Sequence, residues 1–122
     1  MKQKVHSVSY LAKAEFEFKN GVYDLVAIPS GAEVIKVSLE MVGNPIIAGN
    51  ISVGFKDETN KNYFLTLEAL TNEKNFTSAK YYTATSNKVV VAEVKNANVG
   101  NNDVKGVLRV LYFLPSVIEV EY

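Results

Sequence analysis

Residues 8–18 alternate, with Val8, Tyr10, Ala12, Ala14, Phe16 and Phe18 on one parity and Ser9, Lys13, Glu15 and Glu17 on the other. Leu11 is the exception. A period of two predicts a β-strand with one solvated face. Eleven such residues would span roughly 37 Å, at about 3.4 Å each, which is long for a strand. A bend near Leu11 is therefore expected, or an extended N-terminal arm over residues 1–11. Asn20-Gly21 then supplies the strongest short hairpin signal open to natural residues. In residues 22–28 the alternation is mixed: Tyr23, Leu25 and Ala27 on one side, Val22, Val26 and Ile28 around Asp24 on the other. Such a segment is covered on both faces or crosses between sheets.

Pro29 and Gly31 punctuate the chain next, because Pro fixes its own φ and Gly accepts a positive one. The clearest alternation follows, with Ile35, Val37, Leu39 and Met41 expected inward and Lys36, Ser38 and Glu40 outward. Gly43-Asn44-Pro45 ends that strand, and Ile46-Ile47-Ala48 makes an unusually apolar loop tip. Ile51, Val53 and Phe55 begin the next strand. Residues 64–70 fit either a strand or one to two helical turns, since period does not decide so short a run. Residues 81–85 and 89–95, joined by Ser86-Asn87-Lys88, read as a hairpin with Val90, Ala92 and Val94 facing the core.

Residues 104–114 are apolar on both parities. Val104, Leu108, Val110, Tyr112 and Leu114 share one, while Val107, Leu111 and Phe113 flank Arg109 on the other. Such a strand is central and covered, or it carries a subunit contact. Leu114-Pro115-Ser116 breaks it, and Ile118, Val120 and Tyr122 alternate with Glu119 and Glu121. That last run must be tied into a sheet, in this chain or in a neighbouring subunit.

Composition narrows the picture to one antiparallel all-β domain over residues 1–122, a β-sandwich of about eight to nine strands. Length suits a single core, and seven Tyr, six Phe and many Val favour strands. Thirteen basic and thirteen acidic residues balance to a formal net charge of zero, so no overall field draws the chain to nucleic acid or an anionic membrane. No window approaches the roughly 18 apolar residues of a membrane span. Lys13 and Glu15 interrupt any signal-peptide core, so synthesis in the cytoplasm without export is expected.

Catalytic chemistry finds no foothold. Phosphate loops, nucleophile elbows and zinc-protease helices are absent, and with no Cys and a single His a protein-only zinc site is not expected. His6 reads as a solvated or packed residue. Asp57-Glu58-Thr59-Asn60 and Asn101-Asn102-Asp103 lack the acidic spacing of a calcium loop and read as polar turns. Glu15/Glu17 and Glu119/Glu121 lie on outer strand faces rather than across a cleft. The expectation is no catalytic residue, no cofactor and no metal. Asn50-Ile-Ser and Asn75-Phe-Thr match the glycosylation pattern, which has weight only in a secreted chain.

Residues 28–55 resemble small structural proteins of tailed bacteriophages, which carry an I-P-x-G-A-x-V turn and strand followed by a G-x-I-x-V-G strand. The matching positions are Ile28, Pro29, Gly31, Ala32, Val34, Val37, Leu39 and Met41, then Gly49, Ile51, Val53 and Gly54. Residues 63–70, the 81–94 hairpin and a closing Gly106–Tyr112 strand continue the likeness over about four fifths of the chain. The first strand and residues 117–122 fall outside it. The resemblance implies a jelly-roll-like sandwich without enzymatic activity, located in the virion after synthesis in the host cytoplasm. It also implies a homo-oligomer bound to other virion proteins as a head decoration, head fibre or tail accessory. Ile46, Ile47, Val107, Leu111 and Phe113 are then the candidate assembly surface. The rival reading is a carbohydrate- or ligand-binding sandwich module with Tyr81 and its neighbours as the platform. A third is an enzyme subunit or inhibitor.

Overall fold

The computed structural model describes residues 1–43, 48–68, 74–97 and 104–121. Among them are eleven strands and no helix: β1 (Lys2–His6), β2 (Ser9–Glu17), β3 (Gly21–Ile28), β4 (Glu33–Val42), β5 (Asn50–Phe55), β6 (Leu65–Leu67), β7 (Asn75–Ser78), β8 (Tyr82–Thr83), β9 (Lys88–Lys95), β10 (Lys105–Phe113) and β11 (Val117–Glu121). Residues 64–70 thus contribute a short strand, not helical turns, as far as they are described.

One large sheet has the order β2-β10-β4-β7, with β8 also on β4, and the other runs β3-β9-β5-β6. The chain passes from one sheet to the other between β2 and β3, β3 and β4, β4 and β5, β6 and β7, β8 and β9, and β9 and β10. That is jelly-roll connectivity, two rows of strands closed over one core. Val34, Val37, Leu39, Met41, Leu108 and Val110 face Ile51, Val53, Phe55, Val90, Ala92 and Val94 across it, all at most 1% exposed.

Two expected hairpins do not form. Asn20-Gly21 joins β2 to β3, but β2 pairs with β10 and β3 with β9, in opposite sheets. Buried Phe16 and Phe18 carry the chain over the end of the core there. The Phe18 N–H donates to the Val104 carbonyl at 2.9 Å, and Asn20 Oδ1 accepts from the Ala97 N–H at 2.9 Å. Likewise β8 joins β4 instead of β9. The Gly31 N–H donates to the Ala84 carbonyl at 2.6 Å, and the Ala84 N–H donates to the Ala32 carbonyl at 2.9 Å, so this strand extends the sheet opposite β9.

Bulges account for the mixed patterns. Between β4 and β10 the register moves from Lys36↔Leu111 to Val34↔Tyr112, leaving Ile35 as the extra residue. Ile35 is consequently 37% exposed and Val34 fully buried, reversing the parity expected at that end of β4. In β3 the register skips Leu25, and beyond it Val26 and Ile28 enter the core.

β10 lies between β2 and β4, with Leu108, Val110 and Tyr112 in the core and the opposite parity on the outer face of the sheet. At its end the chain bends. Ser9↔Phe113 closes the β2–β10 ladder and His6↔Val117 begins the β1–β11 ladder, with residues 7–8 on one side and 114–116 on the other. The Leu114 N–H still donates to the Val8 carbonyl at 2.8 Å. Pro115 has no N–H to continue the ladder, so the extra residue falls there. Gly31, at φ +87°, sits beneath it: a Cβ on Gly31 would come within 2.8 Å of the Pro115 Cβ. The last strand is thus tied into a sheet within this chain, against β1.

Candidate functional site

The sequence-predicted surface residues on β10 all project outward from the β2-β10-β4 sheet. Leu111 and Phe113 are half-buried, whereas Val107 is 5% exposed and offers little surface. Leu111 lies directly opposite Leu11 of β2, which is 63% exposed. Such opposed side chains stand about 5 Å apart at Cβ and act as one patch. Ile35, pushed outward by its bulge, adds to the apolar exposure of β4. Ile46 and Ile47 lie outside the described residues.

Charges rim this patch. The Arg109 guanidinium, one step along β10 from Leu111, donates to Glu40 Oε1 at 3.0 Å across to β4. Lys13 stands opposite Arg109 and Lys36 opposite Leu111. At the far end Glu33, opposite Phe113, accepts from the Thr83 hydroxyl at 2.8 Å. An apolar centre with a charged rim is the anatomy of a protein contact surface. The signal for Leu11 was its break in an otherwise regular alternation. Ile35 had none, since only the register with β10 exposes it.

Among the described residues no comparable arrangement gathers groups for ligand or metal chemistry. Among the described residues no three His, Cys, Asp or Glu side chains gather as a metal set. His6 is held in place: its Nδ1–H donates to the Leu114 carbonyl at 2.8 Å, across the bend that separates the two ladders. A shallow hollow of about 220 Å³ lies over β5, β6 and β9, lined mainly by polar groups such as Ser52, Asn60, Thr66 and Glu93. Two of the tyrosines near Tyr81 are engaged in packing. Tyr82 and Tyr63 pack on the buried Phe55 with ring centroids 4.5 and 5.4 Å away, and the Lys80 ammonium covers the Tyr63 ring at 4.0 Å. Tyr81 is 72% exposed, and its carbonyl accepts from the Tyr63 hydroxyl at 3.0 Å.

The Lys88–Asp57 pair joins the β5–β6 turn to β9 at 2.6 Å, with the lysine side chain 14% exposed. The hydrogen bond from Lys88 holds the Asp57 carboxyl below its ordinary range, and the same bond raises Lys88. A lowered carboxyl stabilises the fold fully above its unfolded value near pH 4, and that support goes as pH falls through the folded value. A raised ammonium stabilises below its unfolded value near pH 10 and loses this as pH rises through the folded one. Asp57→Asn should therefore lower the melting temperature at pH 7 and make little difference at pH 2. An equal deficit at both pH values would show that the pair contributes no pH-linked stability.

These features define a class: an all-β jelly-roll protein with an apolar patch on the outer face of one sheet. No protein-family model matches the chain, and no curated protein matches it. Among solved structures it is 76% identical to a chain in the acid-stable capsid structure of Helicobacter pylori bacteriophage KHP30, with a TM-score of 0.92 and 100% of each chain covered. A chain of the cyanophage Pam1 capsid asymmetric unit shares the fold, with a TM-score of 0.66 at 20% identity over 88% of this chain and 85% of that one. The chain is a phage virion structural protein and belongs to the same family as the KHP30 capsid-structure chain.

Proposed function

We infer that the protein is a non-enzymatic head decoration component, assembling as a homo-oligomer on the capsid through contacts made by the outer face of β2-β10-β4. The observation that carries this reading is the 76% identity, over the full length of both chains, to a chain resolved within a capsid. The patch formed by Leu11, Leu111 and Phe113 supplies the contact, and its charged rim gives it orientation. Zero formal net charge suits a place on the outside of the shell better than one against packaged nucleic acid, which would favour a basic surface. The tyrosine-platform reading receives less support, because Tyr63 and Tyr82 are engaged in packing.

Phe113→Ser tests the patch. Phe113 is half-buried in the subunit, so the variant should fold. Losing its share of buried apolar area, about 1.5 kcal/mol, should weaken binding to capsids stripped of this component roughly tenfold. Sedimentation of capsids with bound protein reads this directly. Unchanged coating would remove Phe113 from the interface, and a variant that fails to fold would place it in the core.

A further inference from the structure

β1 and β11 form a sheet of their own, in register from Lys2↔Glu121 to His6↔Val117. Two strands are a marginal sheet in water, and among the described residues neither pairs with a third. Each therefore presents one edge of backbone donors and acceptors, a template for another strand. The two edges carry opposite charge, with Lys2 and Lys4 on β1 and Glu119 and Glu121 on β11. By strand alternation these four share one face of the ribbon. The other face holds Val5, Ile118 and Val120, with Ile118 60% exposed.

We propose that this ribbon is a joint between copies of the chain, in which the β11 edge of one copy adds to the β1 edge of the next. The sheet then continues from subunit to subunit around a closed ring and covers the face that carries Val5, Ile118 and Val120. This rests on the homo-oligomer reading above and supplies its geometry. Charge selects the pairing. β11 against β1 sets Glu119 and Glu121 beside the neighbour's Lys2 and Lys4. A two-fold contact would pair β1 with β1 or β11 with β11, setting like charges side by side, which destabilises a sheet. The contact is accordingly head-to-tail, and a head-to-tail contact that closes makes a ring. Closure also removes both free edges, which otherwise invite uncontrolled association.

The variant Lys2→Glu/Lys4→Glu/Glu119→Lys/Glu121→Lys exchanges the two charges and keeps opposite charges paired inside each ribbon. In native mass spectrometry of full-length protein, wild type and variant should each form rings of the same size. After the two are unfolded and refolded together, mixed rings should be lost, because every mixed joint sets like charges together. Free mixing would overturn the proposal, as would a monomeric wild type. Ile118→Asp changes an exposed position of the single subunit, so it should keep the β-rich circular dichroism spectrum and lose the ring; a surviving ring would count equally against the joint. Binding to stripped capsids separates the two readings. A monomer that still coats capsids sinks the joint and leaves decoration standing, whereas sorted rings that ignore capsids do the reverse. A swapped variant that mixes freely yet fails to coat capsids would assign the ribbon to another virion protein.

Discussion

Val37→Asp is expected to yield no folded protein at any temperature where the wild type is folded. Val37 is fully buried at the middle of β4, with Val110 of β10 on one side and Ser78 of β7 on the other. Its side chain belongs to the apolar core between the two sheets, which offers a carboxylate no solvation. An ionised group there faces a desolvation cost far above the roughly 5–15 kcal/mol that holds a typical domain together. Neutralising it by protonation still leaves a buried polar group and a lost apolar contact, a change of about 4 kcal/mol or more. Circular dichroism and a thermal melt read the outcome. A variant that melts like wild type would mean that the inward face of β4 has been assigned to the wrong parity.

Gly106→Ala should have the next largest effect, from a single added methyl group. Gly106 lies on β10 between Phe16 of β2 and Met41 of β4, and a Cβ there would run into the Phe16 ring. That ring has little room to give. It is 5% exposed and stacks on Tyr23, with centroids 5.5 Å apart at 29°. Overpacking of this kind costs about 1–3 kcal/mol, and the upper end is expected because the obstacle is a rigid ring inside a closed sandwich. Phe16→Leu in the same chain should recover part of the loss, so that the double variant is more stable than the sum of the two single changes predicts. Strict additivity in chemical denaturation would show that the strand accommodates the methyl without involving Phe16.

The capsid-face variant, the pH test at Asp57 and the charge-swapped ribbon probe weaker forces. Their effects fall on association or on the acid limb of stability, and each leaves the core untouched. That separation follows from the fold. The interior is closed by apolar strand faces, and the residues proposed for assembly stand on an outer face or on the ribbon beyond the sandwich.

Much of this was legible along the chain because alternation is a local property. The inward set Val37, Leu39 and Met41 on β4, and Val90, Ala92 and Val94 on β9, follows from period two and holds in the structure. The all-β class and a break near Pro115 also come from residue type, since proline cannot donate to a ladder wherever it is placed.

Pairing is non-local, and there the local signals misled. Asn20-Gly21 is an excellent hairpin turn, yet β2 and β3 lie in different sheets, because Phe16 and Phe18 are better buried when the chain crosses the end of the core. The parity of Ile35 depends on a bulge that exists only in register with β10. Leu11 and Leu111 are a hundred positions apart and become one patch only when β2 and β10 pair. The same holds for the ribbon: the sequence required residues 117–122 to find a sheet, but only tertiary structure chose β1 as the partner and set Lys2 and Lys4 against Glu121 and Glu119. Alternation determines which face of a strand is apolar, whereas closing the core over both sheets decides which strands meet and what they leave for other molecules to touch.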